Sequence, residues 1–365
     1  MRVLFYNSEA TWSGTSRIAI QAARGLSTRG HHITFAACGG GQVEWAAQGA
    51  SLETTALDSG AGAVGGALGL RKVLAEKFIE VVVVSSERDQ LIAGSALRFA
   101  ERGAVLRRVP SFTKLHVQRG GRLALKLAAS GAVVSSDREL QTMAPRGWKI
   151  HPTVAPLGIE PGTYDTLQPA TRAEIGAVSH GPIIACAYDP SGRYRFGAVL
   201  RTLSLLAPRH RPLHLAVFGP GANDDELRLH TAALGVSSLV TFLDDARDPA
   251  PVMRAATAGW VVSSGDAAAL ACLDFMAMRV PVIADRTPLA QHYVADGISG
   301  ILLSTEEPSQ TASTIAAFLT NEEKRVAMGN AGRSRVQREF TESSMIDGFE
   351  RAVNAAGDRE KWAVR

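Results

Sequence analysis

Cysteine is scarce in this sequence, and the few residues present are widely separated. The chain has three, Cys38, Cys186 and Cys272, and none stands at a metal-ligand spacing from another. An odd number of isolated cysteines argues against a disulfide framework and against a structural zinc site. A reducing compartment is the expected environment, so we predict a cytoplasmic protein.

Long apolar runs are missing as well. Residues 1–6 are too short an apolar start for the core of a signal peptide. No segment approaches the roughly 20 apolar residues that a membrane-spanning helix requires. Secretion and insertion into a membrane are therefore not expected. The chain is 46% hydrophobic and 20% charged, a composition typical of soluble α/β proteins.

Neither charge sign dominates, but one segment is strongly basic. The net charge is +4. The basic region comprises Arg98, Arg102, Arg107, Arg108, Lys114, Arg119, Arg122 and Lys126. It suits anionic lipid headgroups, as in peripheral contact with the inner face of a membrane, or a phosphorylated acceptor; a solvated face without a partner is the alternative. Nucleic acid is not expected as a partner, because only Phe99 and Phe112 interleave with these charges.

Length and periodicity predict two α/β domains. A chain of 365 residues exceeds the usual size of one hydrophobic core. In the first half, strands are predicted at 3–6, 33–36, 81–84, 104–106 and 132–134, with helices at 16–29 and 90–102. The unbroken valines at 81–84 are typical of a parallel strand that is covered on both faces.

A change in composition marks the predicted domain boundary. Residues 156–164 are rich in Gly and Pro, and a second alternating series begins after residue 170. Its strands are predicted at 183–187, 213–218, 240–243, 259–262, 282–284 and 301–303. Strands alternating with helices imply a second parallel sheet. We therefore predict two Rossmann-like domains facing across a cleft, at 1–165 and 166–342, with a final helix in 343–365 that packs back on the first domain.

Two glycine-containing segments of the first domain are candidates for phosphate binding. Residues 60–65 match the dinucleotide pattern, but they do not follow the first strand, so a loop or a helix start is the better explanation. The first turn carries Ser13 and Gly14 where a helix begins, and backbone N–H groups at such a place attract anions. A simple N-cap by Ser13 or Thr15 explains the same residues.

A stronger pattern lies in the second domain, at residues 263–282. A strand ends, a helix begins among small residues beside Asp266, and Asp274 follows about two helical turns later. Carboxylates are strong acceptors for the vicinal hydroxyls of sugars and riboses, and small residues at a helix start leave backbone N–H groups free for phosphate. The alternative is that Asp266 caps the helix and Asp274 is a surface charge.

Here the sequence resembles the retaining glycosyltransferases of family 4, which have the GT-B fold. The likeness covers nearly the whole chain, including Arg-Gly-His at 29–31, the crossing at 154–159 and the glycine turn at 217–221. The family signature is two glutamates separated by seven residues, and Asp266 and Asp274 stand in their places.

The resemblance implies roles for individual residues. Asp266 would contact hydroxyls of the donor sugar, and Asp274 the ribose. The diphosphate would lie against Ser13, Gly14, Gly219, the amides of Ala268, Ala269 and Leu270, and the cation of Arg195 or Arg193. His116 is the nearest match to the catalytic histidine of the family. The family neutralises the diphosphate with an arginine followed by a lysine; Arg195 or Arg193 stands for the lysine, and Ala187 or Tyr188 takes the place of the arginine. The sequence also departs from the family at glycines replaced by Ala267 and Ala269.

We therefore predict a glycosyltransferase that moves a sugar, with retention, from a nucleoside-diphosphate sugar to a glycan, a lipid-linked acceptor or a small molecule. A UDP-sugar is the expected donor, with neither a cofactor nor a metal, since Asp244 and Asp245 form a turn rather than an Asp-x-Asp site. The departures leave two alternatives open. One is a non-catalytic GT-B subunit, and the other is an epimerase or hydrolase of the nucleotide sugar.

Overall fold

The chain divides into two compact units. The computed structural model describes residues 1–58, 62–100, 103–112, 130–143, 152–177, 180–206, 213–243, 248–304 and 306–363. Unit 1 comprises Met1–Leu157 together with Glu342–Arg365, and unit 2 comprises Gly158–Thr341. The chain thus leaves unit 1 shortly before the boundary at residue 165 that the sequence indicated, and returns to it at Glu342.

Unit 1 is built on a parallel sheet of seven strands in the order β3-β2-β1-β4-β5-β6-β7. The strands are β1 Arg2–Asn7, β2 His32–Cys38, β3 Glu53–Leu57, β4 Val81–Val84, β5 Ala104–Arg108, β6 Gly131–Val134 and β7 Pro152–Val154. Helices α1 Gly14–Thr28, α2 Gln42–Gly49, α3 Gly62–Glu76, α4 Glu87–Ala100 and α5 Asp137–Met143 connect them. All four valines of β4 are buried, as expected for a central strand with both faces covered.

Unit 2 has a second parallel sheet, of six strands in the order β10-β9-β8-β11-β12-β13. The strands are β8 Ile183–Ala187, β9 His214–Phe218, β10 Val240–Phe242, β11 Ala258–Val261, β12 Val282–Asp285 and β13 Gly300–Leu303. The helices are α6 Arg172–Ile175, α7 Arg193–Leu206, α8 Asp225–Ala233, α9 Ala250–Ala255, α10 Gly265–Ala277, α11 Pro288–Tyr293, α12 Pro308–Thr320 and α13 Glu322–Glu339. Short 3₁₀ helices lie at Pro161–Tyr164, Pro190–Gly192 and Ser237–Leu239. The prediction of an α/β fold with two Rossmann-like sheets is confirmed.

The last helix, α14 Glu342–Ala363, belongs to unit 1. Gly348 lies against β7, where an added Cβ would be 2.4 Å from the Cα of Ala155. Arg29, at the end of α1, pairs with Asp347 at 2.5 Å and with Glu350 at 2.6 Å. Close backbone packing and these ion pairs hold the helix to the unit that contains the start of the chain.

Two strands of unit 1 were not predicted from the sequence. Strand β3 lies at the edge of the sheet and has only exposed and half-buried residues, such as Glu53 and Thr54. Strand β7 has three residues and begins with Pro152, at the opposite edge. Edge strands need less apolar surface than central ones, so they carry a weaker hydrophobic signal. Over the described residues, no helix combines the length and apolarity needed to cross a membrane.

Helix α10 is held on the sheet of unit 2 by a close contact with a glycine. Gly259, on β11, lies beneath Phe275, and an added Cβ would come within 2.4 Å of the phenylalanine ring. The ring is fully buried, so it has little room to move. A side chain at position 259 would therefore displace the helix that carries Asp266 and Asp274.

We predict that Gly259→Ala lowers the free energy of unfolding of unit 2 by about 1–3 kcal/mol, the usual cost of overpacking a core. Chemical denaturation of the full chain measures this change. Gly49→Ala is the matched control, because Gly49 ends α2 and has no atom within 4 Å of an added Cβ. Equal stability of the two variants would contradict the proposed packing constraint.

Candidate active site

The candidate site of unit 2 lies where the order of its strands reverses. Strands β8 and β11 are neighbours, but the chain continues from β8 to β9 on one side and from β11 to β12 on the other. Because all six strands are parallel, the loops that follow them meet at one edge of the sheet. Ligands of open α/β sheets bind in the crevice at such a switch point.

Asp189 joins the two loops that leave β8 and β11. Its Oδ1 accepts hydrogen bonds from the amides of Ser191, at 2.8 Å, and Gly192, at 3.2 Å. Its Oδ2 accepts the amide of Ser264 at 2.8 Å, and the hydroxyls of Ser191 and Ser264 are 2.5 Å apart. One carboxylate therefore fixes the backbone on both sides of the switch point.

Helix α10 begins at this point with an open N-terminus. Ser264 is its N-cap residue but makes no side-chain capping bond, and Gly265 enters the helix with φ +53°. The amide of Ala268 already donates to the carbonyl of Ser264 at 3.3 Å. The first-turn amides of Gly265 and Ala267 have no acceptor within the helix, so they can donate to an anion.

This geometry corrects part of the prediction for the phosphate amides. Ala268, Ala269 and Leu270 are buried inside the helix. Their N–H groups point back along the helix axis and are taken up by helical hydrogen bonds. The amides that can meet a phosphate lie one turn earlier than the sequence pattern indicated.

Arg195 is the cation beside this helix start. Its Nη2 donates to the carbonyls of Val262, at 3.2 Å, and Ser263, at 3.1 Å, while its Nε lies 3.7 Å from Oδ2 of Asp285. These contacts place the guanidinium at the carboxyl ends of β11 and β12. No hydrogen bond from its Nη1 to a residue within the described ranges is present, so this group can serve a ligand.

Arg193, the other predicted cation, is engaged elsewhere. Its Nη2 lies 2.7 Å from Oδ2 of Asp224, and its Nη1 pairs with Glu226. Both partners stand at the start of α8. Of the two arginines that the sequence offered, only Arg195 contacts the residues that enter α10.

Two glycines allow the loops to approach one another. Gly219 follows β9 with φ +117°, and an added Cβ would be 2.1 Å from the carbonyl oxygen of Tyr188. Gly192 lies against the end of β11, where an added Cβ would be 1.8 Å from the carbonyl oxygen of Val262. Gly219 was predicted as a binding residue; in the structure it keeps the neighbouring loop close to the switch point.

Both predicted carboxylates of α10 are buried. Asp266 is 4% exposed and Asp274 is 7% exposed, so the alternative that Asp274 is a surface charge is wrong. The hydroxyl of Tyr164 donates to Oδ1 of Asp274 at 2.5 Å. Eight residues along a helix separate the two acids by roughly 12 Å, a distance that suits two different parts of one extended ligand.

Three residues of this arrangement were missed from the sequence, namely Asp189, Asp285 and Tyr164. Asp189 had a usable signal, because Asp-Pro at the end of a strand is a common start of a helical turn. Tyr164 had none, because it meets Asp274 from 110 positions away. Asp285 had none either, because it reaches the site only through the position of β12 beside β11 in the sheet.

In unit 1, the start of α1 is closed by its own side chains. The Ser13 hydroxyl accepts the amide of Ser16 at 3.1 Å, and the Ser16 hydroxyl accepts the amide of Ser13 at 2.8 Å. The Ser13 hydroxyl also donates to Glu9 at 3.0 Å. The N-cap explanation of Ser13 is thus confirmed. Gly14 is the first residue of the helix, and Glu9 adds negative charge beside it.

Several predicted residues lie outside the described residues. These are His116, Arg102, Lys114, Arg119, Arg122, Lys126, Gly60, Asp244 and Asp245. Within the described part of the chain, no group of three or more His, Cys, Asp or Glu residues has the arrangement of a metal site.

Comparison with known proteins gives these features a context. Residues 176–335, which lie within unit 2, match the family Glycosyl transferases group 1. A D-inositol 3-phosphate glycosyltransferase of Corynebacterium jeikeium is 32% identical over 150 residues, 38% of this chain and 36% of that protein. The protein of the same name from Stackebrandtia nassauensis is 30% identical over 251 residues, 64% of this chain and 55% of that protein. The matches thus span about a third to just over half of these curated relatives.

A solved structure matches over a greater length. Anabaena HepE in complex with UDP and glucose superposes with a TM-score of 0.80, covering 97% of this chain and 100% of HepE. The fold is that of the GT-B glycosyltransferases. Sequence identity with HepE is 14%, so the likeness concerns the fold alone.

We predict that Asp189→Ala lowers the free energy of unfolding by about 1–3 kcal/mol, because three backbone amides lose their acceptor. Asp189→Asn, which keeps one acceptor oxygen, should lie between this variant and the wild type. Denaturant titration measures both. Asp225→Ala, on the exposed first turn of α8, removes the same charge and is the control. An Asp189→Ala variant as stable as this control would show that the bridge is not structural.

Proposed function

We propose that this protein is a glycosyltransferase that moves a sugar from a nucleoside-diphosphate sugar, a UDP-sugar by preference, to an acceptor. The observation that carries the proposal is the open N-terminus of α10, with Arg195 beside it and two buried carboxylates on the same helix. An anion, a sugar and a ribose need donors, acceptors and spacing of this kind. The group 1 match over unit 2 supports the same activity.

The diphosphate is assigned to the start of α10. Backbone amides there carry the positive end of the helix dipole, and Arg195 adds a full charge that can bind phosphate oxygens through Nη1. Gly192 and Gly219 keep the surrounding backbone close, so the ligand meets amides rather than side chains.

The donor's hydroxyl groups are assigned to the two acids. Asp266 stands in the first turn of α10, beside the phosphate position, and is the acceptor for hydroxyls of the transferred sugar. Asp274 lies further along and is the acceptor for the ribose. The Tyr164 hydroxyl donates to one oxygen of Asp274, so it holds the carboxylate in one orientation. It is a positioning residue.

The chemistry follows from charge separation. As the bond to the sugar breaks, positive charge develops on the sugar and negative charge on the departing diphosphate. Donors that are already oriented toward the leaving group stabilise this state most, because they need no reorganisation. Arg195 and the α10 amides supply such donors without a metal ion. Retention is proposed from the resemblance to family 4.

The acceptor is assigned to unit 1, and the location to the cytoplasm with peripheral contact at a membrane. A glycan, a lipid-linked sugar or a small molecule are the candidate acceptors. Ser13 and Gly14 remain candidates for contact with the donor phosphates, although the capping of α1 by Ser13 and Ser16 occupies part of that helix start. His116 remains the candidate for the histidine of the family.

A non-catalytic nucleotide-sugar-binding subunit is the second candidate. It is favoured by the reduced number of cations at the α10 start, since Arg193 pairs with Asp224 and Glu226. In addition, Ala187 or Tyr188, both of them buried, stands where the family has an arginine. The two candidates differ in turnover rather than in binding.

Thermal unfolding with UDP, GDP, ADP, TDP and CMP, and with their sugar conjugates, tests the donor assignment. We expect UDP compounds to raise the unfolding temperature, because a ligand that binds only the folded state stabilises it. Asp274→Ala should lose this shift, and Tyr164→Phe should weaken it. Asp225→Ala should retain it in full. No shift with any nucleotide would contradict donor binding at this helix.

Turnover is tested through Arg195. We expect Arg195→Ala to lower the release of UDP from UDP-glucose by about 10²–10³-fold, the usual effect of removing one oriented donor from a transition state. Arg201→Ala, an exposed arginine on the same helix α7, is the control and should keep full turnover. UDP binding with no turnover in the wild type would favour the non-catalytic subunit.

A further inference from the structure

A buried arginine with unused hydrogen-bond donors lies in unit 1, away from the site described above. Arg107, near the carboxyl end of β5, is 6% exposed. Its Nε and Nη1 atoms are buried and have no hydrogen-bond partner among the described residues. Buried guanidinium groups normally form hydrogen bonds, because a buried charge without them is costly. Such a group can gain hydrogen bonds from an anionic ligand.

The strand register shows where the guanidinium lies. Side chains alternate along a strand, so Arg107 shares a face with Val105, which packs in the apolar core beneath α3 and α4. Across the sheet Arg107 pairs with Val84 of β4, and Val84 pairs with Tyr6 of β1. Tyr6, Val84 and Arg107 thus form one row at the carboxyl edge of the sheet.

This row crosses the switch point of the unit 1 sheet. Strands β1 and β4 are neighbours, while the chain runs from β1 outward to β2 and from β4 outward to β5. A cavity opens beside the row and is lined by Tyr6, Ser8 and Arg88, among other residues. The position is the one at which open α/β sheets bind ligands.

Two acids of α4, Asp89 and Glu87, lie close enough to Arg107 to interact with it electrostatically. Asp89, on α4, is 1% exposed, and its Oδ2 accepts the amide of Ser8 at 3.3 Å. Among the described residues it forms no ion pair with Arg107 within 4.0 Å. Burial raises the pKa of Asp89, and the nearby Arg107 acts in the opposite direction. Burial also lowers the pKa of Arg107, to about 10, which leaves the guanidinium charged at neutral pH.

We propose that Arg107 is the cation of an oxyanion subsite in unit 1, which binds a phosphate monoester or a carboxylate. The guanidinium can offer its unpaired Nε and Nη1 donors together to two oxygens of such a group. Tyr6, which stands in the same row as Arg107, lines the cavity together with Ser8. Assigning the oxyanion to the sugar acceptor rests on the proposed transferase function, whereas the subsite itself does not. The acceptor is then an anionic molecule.

The test uses inorganic phosphate and acetate as probes on the full chain, at constant ionic strength. We expect one or both to raise the unfolding temperature with saturation, and to slow hydrogen exchange in residues 103–112. Arg107→Gln should weaken this binding by about tenfold or more, the usual effect of losing charged hydrogen bonds. Arg71→Gln removes an exposed arginine from α3 and should bind as the wild type does.

The two probes distinguish the ligand classes. A response to phosphate but not acetate identifies a phosphorylated acceptor, and the reverse identifies a carboxylate. If the anions slow hydrogen exchange only in residues 263–277, the anion binds only at α10, and the proposal is overturned. Equal responses of the wild type and Arg107→Gln, or no response to either probe, would also overturn it.

A second variant covers the case in which Arg107→Gln does not fold. Arg107→Lys keeps the charge but loses the planar pair of donors, so we expect folded protein with weaker anion binding. Unchanged anion binding in this variant would contradict the proposed use of two guanidinium donors by one ligand. The response to UDP is measured in the same samples. An anion response without a UDP response would remove the transferase assignment and leave the subsite intact.

Discussion

The parallel direction of the strands is the constraint on which the rest of the structure depends. When all strands of a sheet point the same way, every following loop and every helix N-terminus meets at one edge. In unit 2 this brings Asp189, Arg195 and the start of α10 together, although they follow different strands. In unit 1 the same rule brings Tyr6 and Arg107 to one edge. Because the strands are parallel, backbone N–H donors and charged side chains gather at these edges.

The two edges differ in how their buried charges are satisfied. In unit 2 the Asp189 carboxylate accepts three backbone amides, and the Arg195 guanidinium donates to two carbonyls through Nη2 while its buried Nε has no hydrogen-bond partner among the described residues. Asp274 is held by the Tyr164 hydroxyl. In unit 1 the Arg107 guanidinium keeps unused donors under burial. A satisfied charge stabilises the local geometry before a ligand binds, while an unsatisfied one gains most when a ligand arrives.

The likeness to HepE at 14% identity shows how differently fold and chemistry depend on sequence. The sheets need only apolar strands of the right length and small residues where backbones touch, as at Gly259, and many sequences meet these needs. The chemistry of the site depends on a few side chains. Here two buried aspartates, Asp266 and Asp274, stand on one helix, and Tyr164 bonds to the second of them.

The sequence by itself determined the α/β class, the central strands and the helix that carries Asp266 and Asp274, because these depend on local apolar patterning and spacing. The edge strands β3 and β7 were not predicted, because exposed strands have a weaker apolar pattern. Only the tertiary structure decided which arginine lies beside α10, and that the Ala268 amide already donates to Ser264. It also brought Tyr164 to Asp274. Contacts between distant segments depend on strand order and register, which no local pattern encodes.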